Sequence, residues 1–176
     1  MKKIAPIVVL LTLLAGCSSA ERLHKKNTAA IAAKRTGDVY TFKLRPTVEE
    51  SYQIRLFGVT ETTCHLGPDF TVHYFSFPQS GSLAIYFGGH PQSETDRPTG
   101  RFRSSFGDTS AAWSLFKRTD DFRATAYVPE PEREDRPTYT WHLIVIGDTE
   151  KAVHAIIDQL PSFHQIPGAK KPKQGP

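Results

Sequence analysis

A thiol and an imidazole stand side by side at Cys64-His65, and this pair of groups can support nucleophilic catalysis. No strand-to-helix nucleophile turn is recognisable around them, and adjacency in sequence does not set a hydrogen bond between the two groups. Three roles stay open for Cys64: an inert buried thiol, a disulfide to another chain, and a nucleophile served by His65 or by a distant histidine. The inert role is favoured, because free cysteine is among the most often buried residues.

The seven histidines offer no metal site. None lies in an H-x-x-x-H or H-E-x-x-H pattern, so neither a metal nor a cofactor is predicted. His154 lies four residues from both Glu150 and Asp158 and is expected in a solvated ion pair. His73 and His142 are expected at outward strand positions. The remaining histidines are His24, His65, His90 and His164.

Known catalytic loops are equally scarce. No glycine-rich phosphate loop and no G-x-S-x-G elbow occurs anywhere in the chain. A Ser, His and acid triad cannot be deduced from composition alone. The sequence therefore favours a binding protein, and it leaves an enzyme as the alternative.

The segment from Gly88 to Ser110 is long for a plain connection, which predicts either a functional loop or a hidden strand over Gly100–Phe106. Its arginines and aromatics are able to hold an anionic or carbohydrate group by charge and stacking. The competing interpretation is a strand with its arginines outward and Phe102 inward, and it is favoured because exposed arginine on a strand is common. The candidate ligand-binding residues are His90, Arg101, Phe102 and Arg103.

The N-terminus has the organisation of an export signal. Lys2 and Lys3 precede an apolar run, Ile4–Leu14, which is too short to cross a bilayer. Leu14-Ala15-Gly16-Cys17 resembles the lipobox of bacterial lipoproteins. The resemblance implies cleavage before Cys17, a diacylglyceryl group on its thiol and an acylated amine, which together hold a protein stably on a bilayer. The alternative is an ordinary cleaved signal followed by an accidental cysteine.

Ser18 stands where an aspartate would resemble an inner-membrane retention signal. In a two-membrane envelope this favours the outer membrane, with the protein facing the periplasm. Lipidation of Cys17 would leave Cys64 as the only thiol, so no intramolecular disulfide is expected.

Charge is unevenly distributed along the chain. The full sequence carries +4, and loss of Lys2 and Lys3 with the signal leaves +2. Residues 17–35 and the tail from Gly168 together carry +7, so the body between them carries −5. An acidic body with basic ends does not suit a nucleic acid partner. The basic stretch after Cys17 is either a solvated tether or a contact with anionic lipid.

Four regions are predicted from these patterns. Residues 1–16 form the signal, 17–37 a lipidated basic tether, 38–167 a single β-rich domain and 168–176 a disordered basic tail. The tether offers a short helix, with a cap at Asn27-Thr28, helix formers up to Arg35 and a closing Gly37. That helix is free either to pack on the domain or to float.

Beyond Val39 the apolar residues alternate with polar ones, which is typical of half-buried strands. Two hairpins are indicated, one turning at residues 78–81 and one at 118–121. The run Tyr139–Ile146 is the most apolar and is expected to be central. A closing helix is expected to be capped by Asp148 and stopped by Pro161. These patterns predict an α+β fold, mainly an antiparallel β sheet or sandwich of about seven strands with a C-terminal helix packed against it.

Taken together, these features predict a membrane-anchored bacterial lipoprotein that serves as a binding or assembly module of the cell envelope. Its expected partners are the lipid bilayer, through acylated Cys17, and an envelope protein or glycan. An envelope enzyme that uses Cys64 with a spatially adjacent histidine is the alternative.

Overall fold

The computed structural model describes residues 21–78, 81–89, 91, 94–130 and 139–166. A first helix, α1, covers residues 21–31 of this part of the chain. Eleven strands, a second helix α2 and a short 3-10 helix follow. Their order is β1 (Lys34–Thr36), β2 (Val39–Phe42), β3 (Ser51–Arg55), β4 (Glu61–Leu66), β5 (Phe70–Phe77), β6 (Gly81–Gly88), β7 (Gly100–Phe106), β8 (Thr109–Lys117), β9 (Phe122–Pro129), β10 (Thr140–Gly147), α2 (Glu150–Ile157), the 3-10 helix (Leu160–Ser162) and β11 (His164–Ile166).

The strands form two sheets in which every pairing is antiparallel. One has four strands in the order β1-β2-β3-β11, and the other has seven in the order β4-β5-β6-β10-β9-β8-β7. The predicted fold of antiparallel sheet with a packed C-terminal helix is confirmed. There are eleven strands where about seven are expected, because β1 and β11 have three residues each and β4 is mostly polar.

The period-two pattern explains which residues form the core. Tyr40 and Phe42 of β2 and Tyr52 and Ile54 of β3 are buried, and the residues between them are less so. Both predicted hairpins are present, as β5–β6 and β8–β9. Strand β10 is the fourth of the seven strands, which confirms that the most apolar run is central.

An aromatic cluster packs the two sheets together around Phe163, which follows the 3-10 helix. Its ring stacks on Phe106 of the seven-stranded sheet at 4.0 Å between centroids and on Tyr52 of the four-stranded sheet at 5.5 Å. Trp141 of β10 meets it edge-on at 5.1 Å. Aromatic pairs of this kind contribute about 0.5–1.5 kcal/mol each beyond the area that they bury. The end of the chain therefore helps to close the core.

Helix α2 covers the inner face of the seven-stranded sheet with Val153, Ile156 and Ile157. Its N-cap is Thr149 and not Asp148 as expected. Thr149 has the extended backbone of a capping residue, and its hydroxyl accepts a hydrogen bond from the amide of Ala152 at 3.1 Å. The helix ends at Ile157, and Pro161 lies within the 3-10 helix that follows.

Helix α1 differs from the predicted tether helix. It ends at residue 31, and Lys34–Thr36 forms β1 instead of a last helical turn. Gly37, with φ of 61°, serves the two-residue turn between β1 and β2 and not a helix cap. Ile31 is fully buried, so the end of α1 packs on the domain. Among the described helices, none has the length and apolar content that a membrane crossing requires.

Candidate functional site

The seven-stranded sheet has an outer face, which points away from the four-stranded sheet. Alternation along the strands brings Val72, Tyr86 and His142 onto this face as one cross-strand row. The adjacent row is formed by Tyr74, Ala84 and Ile144. Apolar side chains therefore occupy both faces of β5, β6 and β10.

A chain of ring contacts, here the aromatic row, runs across the outer face through His65, Phe70, Tyr86, His142 and Tyr127. Phe70 stacks on Tyr86 at 5.6 Å, and His142 stacks on Tyr127 at 4.3 Å. Tyr86 meets His142 edge-on at 6.3 Å, and His65 lies 5.8 Å from Phe70. Tyr127 remains 39% exposed and the neighbouring Tyr74 43% exposed. Large aromatic side chains are thus presented at the surface.

Beside the aromatic row lies a cavity of about 410 Å³, here the outer groove. It exists because Ser82 and Ala84 of β6 are small, whereas larger side chains stand on the strands to either side. Its lining residues are Phe70, Val72, Tyr74, Ser82, Ala84, Tyr86, Arg123, His142, Ile144 and Ile146. A mostly apolar concavity with a few polar groups is the usual form of a small-molecule site.

Two nitrogen atoms of the residues that line the outer groove lack a hydrogen-bond partner among the described residues. They are Nε2 of His142 and Nε of Arg123, and both are buried. Both atoms have almost no accessible surface, so a ligand in the groove would not reach them without a movement of the side chains. A buried polar atom left unpaired costs about 1–3 kcal/mol, so the two nitrogens lower the stability of this part of the sheet.

The charge of Arg123 is balanced locally. Its Nη2 lies 2.7 Å from Oε1 of Glu94, and the other carboxylate oxygen of Glu94 lies 3.1 Å from Nη2 of Arg118. Oδ2 of Asp96 lies 3.9 Å from the same Nη2 of Arg118, so the two arginines face two carboxylates. Glu94 belongs to the connection between β6 and β7, so this ion pair ties that connection to the outer face. Burial, and secondly the charge of Arg123, lowers the pKa of His142 to about 4. The imidazole is therefore neutral at pH 7.

The two histidines expected at outward positions are both buried. His142 does face outward, but it is only 2% exposed because neighbouring rings cover it. The prediction is wrong for His73, whose side chain is on the inner side of β5, 4.3 Å from the ring of Phe42. Its Nε2 donates to the carbonyl oxygen of Lys43 at 3.1 Å. His73 is buried because α1 and β2 cover this part of the sheet.

His154 lies 3.8 Å from Glu150, as expected, and its ring also lies 4.6 Å from Phe102.

The candidate ligand-binding residues are divided by the fold. Residues 100–106 form β7, the edge strand of the seven-stranded sheet, which confirms the hidden strand. Arg101 and Arg103 are exposed on one side, and Phe102 is half-buried on the other, stacked 6.2 Å from Trp113. An open hollow of about 480 Å³ borders all three residues. His90 and Cys17 lie outside the described residues.

Cys64 and His65 point to opposite sides of β4, so they do not form a dyad. The cross-strand neighbour of Cys64 is His73. The Cys64 thiol donates to the carbonyl oxygen of Thr28 in α1 at 3.5 Å, and burial raises its pKa. Burial also lowers the pKa of His73, to about 4, against a smaller opposing effect of the Lys43 carbonyl. Both shifts disfavour the thiolate and imidazolium forms that an activated pair needs.

The outer groove was not found from the sequence. The available signal was that Ile144 and Ile146, opposite the core positions of β10, are as apolar as the core itself. A second cavity, also about 410 Å³, opens at the end of the sandwich beside Phe163 and Glu130. Its aromatic lining is the cluster that joins the two sheets.

No family model, curated protein or solved structure matches the chain significantly. Within the described ranges, no group of three metal-ligating side chains comes together.

Proposed function

We propose that this chain is a lipid-anchored binding module of the bacterial envelope, and that its ligand occupies the outer groove. Acylated Cys17 would hold it on the bilayer, at the outer membrane and facing the periplasm. The observation that carries the binding role is the outer groove itself, a concavity of about 410 Å³ with a mostly apolar lining and a few polar groups. A groove of this kind is the usual form of a binding site.

Exposed basic residues close to Cys17 support membrane attachment. Only residues 18–20 separate Cys17 from Glu21, the first described residue of α1, and a chain of that length reaches about 14 Å at most. Arg22, Lys25 and Lys26 are exposed on this helix, where each would gain about 1 kcal/mol near anionic headgroups. The domain would therefore work close to the bilayer surface.

Location is tested by feeding cells an alkyne-tagged fatty acid. The wild-type chain should carry the label in the membrane fraction, and Cys17→Ser should carry none. Labelling of Cys17→Ser at the wild-type level would contradict lipidation at this residue.

Binding is tested in intact cells with a photoreactive amino acid at Tyr74, on the outer groove, and at exposed Arg55 of β3 as the control. We expect an adduct at Tyr74 that is lost when Ala84→Phe fills the groove. Equal adducts at both positions would show that the outer face has no special role.

The alternative, an envelope enzyme, has one observation in its favour: the register pairs Cys64 with His73. The directions of both pKa shifts count against it. Rapid alkylation of Cys64 at neutral pH would restore this alternative.

A further inference from the structure

We propose that the outer groove binds an uncharged, mainly hydrocarbon ligand that carries a single hydrogen-bonding group, the chemistry of an acyl chain with an ester or amide carbonyl. This inference rests on the proposed function for the groove as the binding site. It goes further in assigning the class of ligand.

The aliphatic floor of the outer groove favours a ligand that is mainly hydrocarbon. Val72, Ala84, Ile144 and Ile146 provide only aliphatic surface, and the ring of Phe70 borders it. A sugar carries a hydroxyl on nearly every carbon, and most of these would lose their hydrogen bonds to water against such a floor. Burial of a hydrocarbon chain there gains roughly 25 cal/mol per Å² instead.

The ion pairs beside the outer groove favour a ligand without net charge. Glu94 pairs with Arg123 at 2.7 Å and with Arg118 at 3.1 Å, and Asp96 lies 3.9 Å from Arg118, so two carboxylates face two guanidinium groups. An anionic ligand would have to compete with the Glu94 carboxylate for Arg123. A neutral ligand leaves that ion pair intact.

The lining of the outer groove offers one small polar group among its aliphatic side chains. Ser82 of β6 is partly exposed there and carries a hydroxyl. A hydroxyl donates to a carbonyl oxygen, so one carbonyl of a ligand finds a partner in the groove. An acyl ester or amide combines this group with a hydrocarbon chain.

The test uses the mature chain without lipid, residues 18–176, and the neutral fluorescent probe N-phenylnaphthylamine. We expect saturable binding at one site. Its anionic counterpart, anilinonaphthalene sulfonate, should bind at least about tenfold more weakly. Ala84→Phe should weaken binding of the neutral probe by at least about tenfold. Ser114→Phe adds the same side chain to β8 on the same sheet, outside the outer groove, and should leave the affinity within about twofold.

Several outcomes would overturn the inference: no saturable binding, equal binding to Ala84→Phe, or stronger binding of the sulfonate. Loss of probe binding as the chain dimerises would assign the outer face to a second copy instead. If Ala84→Phe fails to fold, the methyl resonances of Ile144 and Ile146 in the wild type decide. They should shift during titration with the probe, and unshifted resonances would refute the site.

The two proposals can fail separately. Probe binding in solution without a crosslink at Tyr74 in cells would retain the ligand class and remove the envelope role. A crosslink to a protein, with no probe binding, would do the reverse.

Discussion

His73 and His142 are held uncharged inside a sheet that has side chains packed on both of its faces. For His73 the packing ring is Phe42, and for His142 it is Tyr127. Burial lowers the pKa of each imidazole from 6.5 to about 4. Each histidine therefore links the stability of the domain to pH.

We expect the free energy of unfolding to fall as the pH is lowered from about 6.5 towards 4. Over that range the unfolded chain binds a proton at His73 that the folded chain excludes, which costs up to about 1.4 kcal/mol per pH unit. Urea unfolding at several pH values should give a shallower slope for His73→Gln. His24→Gln, at an exposed position of α1, is the control and should keep the wild-type slope. An unchanged slope in His73→Gln would refute the linkage.

Cys64 should react slowly. In residues 18–176 it is the only thiol, and burial raises its pKa, so alkylation by iodoacetamide at pH 7 should be much slower in the folded than in the unfolded chain. The rate should rise with pH and with urea. Mass spectrometry after timed labelling measures both, and equal rates in the folded and unfolded chains would contradict burial.

The hairpins β1–β2 and β7–β8 each have a glycine as the first residue of the turn. The same substitution can therefore be compared in the two turns. Gly37 has φ of 61° and Gly107 has φ of 55°. A Cβ at Gly37 would meet nothing within 4 Å, whereas a Cβ at Gly107 would collide with the carbonyl oxygen of Phe163. The β7–β8 turn is thus pressed against the end of the chain.

We therefore expect Gly107→Ala to destabilise the domain more than Gly37→Ala. Both substitutions incur roughly 1–2 kcal/mol for the positive φ, and only Gly107→Ala adds a backbone collision. The difference between their unfolding free energies in urea isolates the collision. Equal losses would mean that the turn and Phe163 are not in contact.

The edge strand β7 carries two arginines on its exposed side. Arg101 and Arg103 are exposed, and charged residues on an edge strand discourage pairing with other chains. Replacing both with alanine should change the unfolding free energy by less than about 0.5 kcal/mol and leave neutral-probe binding unchanged. A loss of probe affinity comparable to that of Ala84→Phe would extend the site to this edge.

Elements with a regular pattern were predictable, and those defined by their neighbours were not. The alternation of Tyr52 and Ile54 identified β3 from local sequence alone. Strand β4 was missed because its residues Glu61–Leu66 are mostly polar and half exposed, and only pairing with β5 makes them a strand. The outer groove depends on Ala84 lying beside Ile144, a register that no local pattern contains.

At the scale of the whole molecule, the two faces of the seven-stranded sheet differ in what contacts them. The seven-stranded sheet presents the aromatic row and the outer groove, and α2 and the four-stranded sheet cover its other face. The body is acidic, and both ends of the chain are basic. An anionic surface would attract the basic ends and repel the acidic body.

The position of β11 in the four-stranded sheet also determines when that sheet can be completed. Ser51 of β3 pairs with Ile166, more than a hundred residues later in the chain, and Phe163 between the sheets arrives with it. A chain that emerges from its N-terminus, as in synthesis, therefore presents β1, β2 and β3 before the strand that completes their layer. Contacts of such separation make folding slow. The four-stranded sheet would therefore be completed, and the domain become compact, only after the last strand is available.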